Sequence, residues 1–129
     1  MSDYEPVNAA GASPFTKTAG AVITGGNLVS VTADNTVSPT TANTQRAVGV
    51  AAHDAPSGGR VTCWPLPELI HESINNNAGT ITAGMPITAG ASAGVDTPTS
   101  LASGAAAGTL IGICTKGGLT AAKVQWVGV

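Results

Sequence analysis

Apolar residues along this chain fall in short bursts broken by Gly, Pro, Asn and Ser, and the bursts come in two matching series. Residues 23–31 read ITGGNLVSV and residues 81–89 read ITAGMPITA. In each, an apolar–Thr pair runs into a glycine-containing turn (Gly25-Gly26, or Gly84), where a residue without Cβ allows positive φ, and a second apolar run follows. Ile23 to Val29 aligns with Ile81 to Ile87 at a shift of 58 residues. A second block recurs at a shift of 63: Val48-Gly49-Val50 matches Ile111-Gly112-Ile113, and Arg60-Val61-Thr62-Cys63 matches Lys123-Val124-Gln125-Trp126. The five residues gained between the blocks fall in 90–108, GASAGVDTPTSLASGAAAG, a composition that reads as a loop tolerant of insertion.

Each half reads as β structure: a strand, a glycine turn and a second strand, then an apolar run (47–52 or 110–115), a Gly-Gly turn and an alternating strand (60–64 or 123–127). The fold expected is all-β, a small pseudo-two-fold β-sandwich or barrel in which two similar halves complete each other's apolar face, with an extended N-terminal arm. The arm covers residues 1–17 and a single β domain covers 18–129, its first half about 18–65, a linking segment 66–77 and a second half about 78–129. The linking segment, LPELIHESINNN, fits both a helical stripe (Leu66, Leu69, Ile70, Ile74) and an alternation (Leu66, Glu68, Ile70, Glu72, Ile74). A strand ending in an Asn-rich turn is preferred because its surroundings are β.

The arm, MSDYEPVNAAGASPFTK, has Pro6 and Pro14 and no sustained period. It carries Tyr4 and Phe15, half of the chain's four aromatic residues, which suggests that it docks on something; Phe15 folding back onto its own domain is the competing reading. Trp64 and Trp126 end corresponding strands one place out of register, as core plugs or subunit contacts. The candidate contact residues are therefore Tyr4, Pro6, Pro14, Phe15, Trp64 and Trp126.

Charged residues are 9% of the chain, Lys+Arg number 5 and the formal net charge is −2, while 43% of residues are hydrophobic. That is the profile of a chain that folds, without the basic footprint that several phosphates or an anionic membrane surface would need. No stretch approaches the ~20 apolar residues of a spanning helix. A soluble protein made in the cytoplasm is expected, with Cys63 and Cys114 as two buried thiols rather than a pair.

Chemical motifs are few. Gly90-Ala91-Ser92-Ala93-Gly94 satisfies the G-x-S-x-G nucleophile pattern, but both histidines, His53 and His71, precede Ser92 and no long helix follows it. The pairs His53-Asp54 and His71-Glu72 point to opposite faces of a strand, and no His or Cys spacing matches a metal site, so loop or surface histidines are expected. The reading is non-enzymatic, with no cofactor and no metal. A lipoyl- or biotinyl-like carrier domain is also a duplicated β module and remains a minor alternative; of Lys17, Lys116 and Lys123, Lys116 in CTKGGL lies at a turn, without matching flanks.

The segments AGAVITGGNLVSV, RAVGVAAHDAPSGGRVTCW, AGTITAGMPIT and LIGICTKGGLTAAKVQWVGV, covering most of the chain from Ala19 to Val129, resemble the small capsid decoration (cement) proteins of tailed bacteriophages. Met85-Pro86 departs from the polar–apolar pair usual after that glycine. The resemblance implies a β-rich protein, commonly a homotrimer, on the outer capsid surface of a virion, stabilising the head by clamping neighbouring subunits of the major capsid protein. Another virion part, a head fibre or tail component, is the alternative.

Overall fold

The computed structural model describes residues 3–42, 47–98 and 109–129. Among them, ten strands form two units. In the first unit, β1 (Phe15–Ala19), β2 (Leu28–Ala33), β3 (Thr36–Pro39), β4 (Ala47–Ala51) and β5 (Arg60–Pro65) close a barrel in the order β1-β3-β2-β4-β5. In the second, β6 (Ile70–Ile74), β7 (Pro86–Ala89), β8 (Val95–Asp96), β9 (Leu110–Lys116) and β10 (Lys123–Gly128) form a sheet in the order β6-β10-β9-β7-β8. Read around, the neighbours are the same, so the all-β duplication is real at the level of topology.

The backbone hydrogen bonds repeat with the sequence. Ile23 and Ala55 exchange N–H and C=O at 2.9 Å in both directions, and so do Ile81 and Gly118, at 3.1 and 2.9 Å. Gly26 N–H donates to Ala51 O at 2.8 Å, and Gly84 N–H to Cys114 O at the same distance. These pairs differ by 58 at one end and 63 at the other, the two shifts read from the sequence. Gly26 and Gly84 carry the positive φ the turns require, +93° and +90°.

Segment 66–77 contains β6, a strand rather than a helix, and the pairing places it as the second unit's counterpart of β1. Phe15 lies opposite Cys63 in β1–β5, as His71 lies opposite Trp126 in β6–β10. The shift here is 56, and the first unit begins with Phe15 itself. The seams differ: β1 and β3 pair through Thr18–Thr36 and Ala19–Val37, whereas β6 and β8 meet only at the bridge Asn75–Val95. Asn75, fully buried where the first unit has Ala19, holds that seam with its amide, donating to Gly79 O (3.1 Å) and Gly118 O (3.0 Å). The loop expected at 90–108 lies in part outside the described residues; its described portion contains a single 3-10 turn, Ala91–Ala93, and β8.

Alternation splits β2 and β4 between two cores. Val29, Val37, Ala51, Val61 and Cys63 fill the first barrel, while the adjacent Leu28 and Val50 face the other way and join a core with Ile81, Ile87, Val95, Val124 and Trp126 of the second unit. Leu28 and Val50 are both fully buried, each contributing about 1.5–3 kcal/mol of transfer free energy to the contact between units. Cys63 and Cys114 are buried free thiols in separate cores.

Candidate functional site

The most built polar arrangement in the molecule lies where the N-terminal segment crosses the second unit. Residues 3–8 form a strap. Tyr4 N–H donates to Ala52 O (2.8 Å) at the end of the first barrel; Val7 N–H donates to Ile70 O (2.8 Å) and Ile70 N–H to Asn8 O (2.9 Å) along β6. The strap thereby pairs part of a strand edge that would otherwise lie open. A tight turn follows, with Ala12 N–H donating to Ala9 O and φ of +50° at Ala10 and +76° at Gly11, and it returns the chain to β1.

The Tyr4 side chain reaches into the second unit. Its hydroxyl accepts a hydrogen bond from Glu72 N–H (3.1 Å) and lies 2.8 Å from His71 Nδ1, while His71 Nε2 lies 2.8 Å from Pro65 O. Pro65 O can only accept, so Nε2 carries the proton, Nδ1 accepts, and the phenol donates to it. The chain of donors is complete with a neutral imidazole. Burial lowers the His71 pKa, outweighing the opposing effect of the Pro65 carbonyl, and burial is also the main reason the Tyr4 phenol is raised. Tyr4 stacks on His71 with ring centroids 6.0 Å apart, His71 packs at a 36° tilt against Trp126 at 5.1 Å, and Trp126 Nε1–H donates to Ser73 Oγ (3.1 Å).

Between the two units lies a cleft of about 460 Å³ whose walls include Tyr4, Gly25, Glu72, Ile74, Ser92 and Lys123. Glu72 Oε1 and Lys123 Nζ are 3.7 Å apart in it, with Lys123 69% exposed, an arrangement too solvated to anchor a substrate by charge. Ser92 is exposed in the 3-10 turn at φ +53°, and among the described residues no histidine lines the cleft with it. Nor do three His, Cys, Asp or Glu side chains gather there as a metal set.

Of the candidate contact residues, Trp126 is fully buried and serves as a core plug, offering no surface to a partner. Tyr4 is partly buried against the second core. Phe15 packs on the first core from β1; Pro6 and Trp64 are partly exposed and Pro14 is exposed. The six are therefore not one patch. His71 corrects the expectation of loop or surface histidines, being 0% exposed within β6, whereas His53 does lie in the loop between β4 and β5, partly buried, accepting from Thr62 N–H through Nε2 (3.2 Å) with Nδ1 2.9 Å from Asp54 O. Lys116 is the last residue of β9, paired with Gln125.

No protein-family model and no curated protein matches the sequence. Among solved structures, the fold is similar to the N base of the head fiber gp8.5 in bacteriophage phi29, with a TM-score of 0.66, 20% identity, and coverage of 91% of this chain and 93% of that one. Both share one fold. Coverage of that extent takes in both units, so what is similar is the tandem arrangement and not a single small barrel.

Proposed function

We propose that this chain is a non-enzymatic structural protein of a phage virion, seated on the outer surface of the head. The single observation that carries this reading is the end-to-end likeness of the two-unit fold to a head-fiber base. The sequence resemblance to capsid decoration proteins points to the same surface. A module that grips a lattice requires a stiff body and many copies, so that modest contacts add through multivalency; it does not require a reactive group.

Two modes fit this position. As a cement protein, the chain clamps neighbouring major capsid subunits and raises the temperature at which heads open. As a fibre base, favoured by the structural likeness, it seats on the head without that stabilisation. Adding the purified protein to undecorated heads tests both: saturable binding on the outside, seen in a reconstruction, supports the placement, and absence of binding to heads of its own phage refutes it. The head-opening temperature then separates clamp from base. Pro6, Pro14 and Trp64 are the contact candidates left accessible. Point changes there are the appropriate probes, because deleting residues 2–15 would also remove the strap and Tyr4.

A further inference from the structure

We infer that the outward face of the second unit, along the row Ile70–Val127–Ile113–Pro86, is a self-association surface that a second copy of this chain covers. The four residues are register partners on successive strands β6, β10, β9 and β7: Val127 pairs with Ile70 on one side and Ile113 on the other, and Ile113 pairs with Pro86. All four are partly exposed. An antiparallel sheet with one solvated face normally places polar residues there. Here β6 is inverted, with His71, Ser73 and Asn75 turned inward and Ile70 and Ile74 outward.

The internal repeat says what such a row is for. At shifts of 58 and 63 the row's counterpart in the first unit is Leu28–Val50–Trp64, joined by the same register. Leu28 and Val50 are fully buried, and what they are buried in is the core of the second unit. In this fold the row on one unit is covered by another unit of the same fold, and among the described residues no unit covers the second unit's row. A second copy supplies one. Val7 (52% exposed), bonded to Ile70, and Val129 (63% exposed), bonded to Ile111, extend the apolar surface at either side, and Gln125, Glu72 and Lys116 form a polar border. With a net charge of −2, copies have little charge to hold them apart.

The test is the solution mass of the full chain by light scattering, from roughly 1 to 100 μM, since self-association depends on concentration. The expected result is a mass that rises to a multiple of the single chain, and a return to single-chain mass in Val127→Lys/Ile113→Lys. Val22→Lys, at a position 72% exposed and outside the row, should assemble as the parent does. To separate assembly from misfolding, Thr115→Cys, exposed beside the row, provides a reactive thiol while both native cysteines stay buried. Its maleimide labelling should slow several-fold at the higher concentration, whereas labelling of Val22→Cys should not. A single-chain mass throughout, or a Val127→Lys/Ile113→Lys chain that assembles like the parent, overturns the inference. So does a chain that stays single in solution and protects Thr115→Cys only on heads, an outcome that leaves the head reading standing.

Discussion

The buried Tyr4–His71–Pro65 chain makes stability depend on pH in a window that can be worked out in advance. His71 is fully enclosed, and both of its ring nitrogens are committed: Nε2 donates to Pro65 O and Nδ1 accepts from Tyr4. A second ring proton would face a hydroxyl that already accepts from Glu72 N–H. Burial accordingly holds the folded-state pKa below 6.5, the open-chain value. Protonation then favours the unfolded chain. The contribution is complete above pH 6.5 and is lost as pH falls from there towards the folded-state pKa. One proton taken up on unfolding sets the upper limit of the loss between pH 7 and 5.5 at about 1.2 kcal/mol, with a slope that cannot exceed ~1.4 kcal/mol per pH unit.

The comparison chain is Tyr4→Phe/His71→Phe, which installs at 71 the residue type that Phe15 supplies at the equivalent place of the first unit. Urea midpoints at constant temperature, measured from pH 7.5 to 5.5, should fall more steeply in the parent than in the double variant; His53 and the carboxylates are common to both and cancel in the difference. The single change Tyr4→Phe leaves Glu72 N–H and His71 Nδ1 without their partner. At the low end of ~1–3 kcal/mol for each unmet group, it should cost about 2 kcal/mol at pH 7. Parallel pH profiles for parent and double variant would show that His71 does not titrate against folding and refute the argument.

Gly112→Ala should destabilise by about 1–3 kcal/mol through overpacking, because a Cβ there collides with Val127 O and comes within 2.5 Å of Trp126 Cε3; Gly49→Ala, 2.6 Å from Trp64 O, should cost a similar amount, both read as shifts in the thermal midpoint. Thr40→Val should raise the midpoint by about 1 kcal/mol, since Thr40 Oγ1 is buried without a hydrogen-bond partner and the replacement keeps the shape; an unchanged or lowered midpoint contradicts this. Cys63, buried with its thiol pushed up to about 11, should not react with a thiol reagent at pH 8 until the chain is unfolded; fast labelling of native protein would mean that the first barrel opens.

The duplication was legible because the turns demand glycine. Gly26 and Gly84 need left-handed φ, and Gly49 and Gly112 lie too close to the facing strand to carry a side chain, so both positions recur at a fixed spacing. The one-place offset of Trp64 from Trp126 was legible too, and it decides which indole is inside. Trp126 takes the inward position of Cys63, and Trp64 the outward position of Val127. What the pattern hid was the phase of β6. The alternation Leu66, Glu68, Ile70, Glu72, Ile74 marks a strand but not which face is buried, and the buried row proved to be His71, Ser73 and Asn75. Pro65 and Gly79 stand only six and four residues from His71 and Asn75, but the partners that complete the row, Tyr4, Trp126 and Gly118, stand 67, 53 and 43 residues away in the chain, so the local sequence does not show that a polar row can be satisfied inside. The strap was hidden for the same reason: residues 3–8 have no period of their own and take their extended shape from the edge they cover.

The two units have come to depend on different things. The first closes on itself with a dry interior of small aliphatic groups, Ala19, Val29, Val37, Ala51 and Val61, and both strands of its seam are paired. The second exchanges the Phe15–Cys63 pair for His71–Trp126 and Ala19 for Asn75, and thereby imports four polar nitrogens that must be met: the indole N–H by Ser73 on its own β6, the Asn75 amide by Gly79 and Gly118, and the two imidazole nitrogens from outside the unit. Pro65, at the end of the first unit, and Tyr4, ahead of it, meet the imidazole. An open second unit would therefore release the strap and strip the cover from Leu28 and Val50 at once, exposing the first unit's outer row as well as its own core. Because each loss falls on both units, neither can open alone without cost to the other. The small barrel and the small sheet, each marginal by size, are joined by one tyrosine at the N-terminus and one apolar row between them, and should therefore unfold in a single transition.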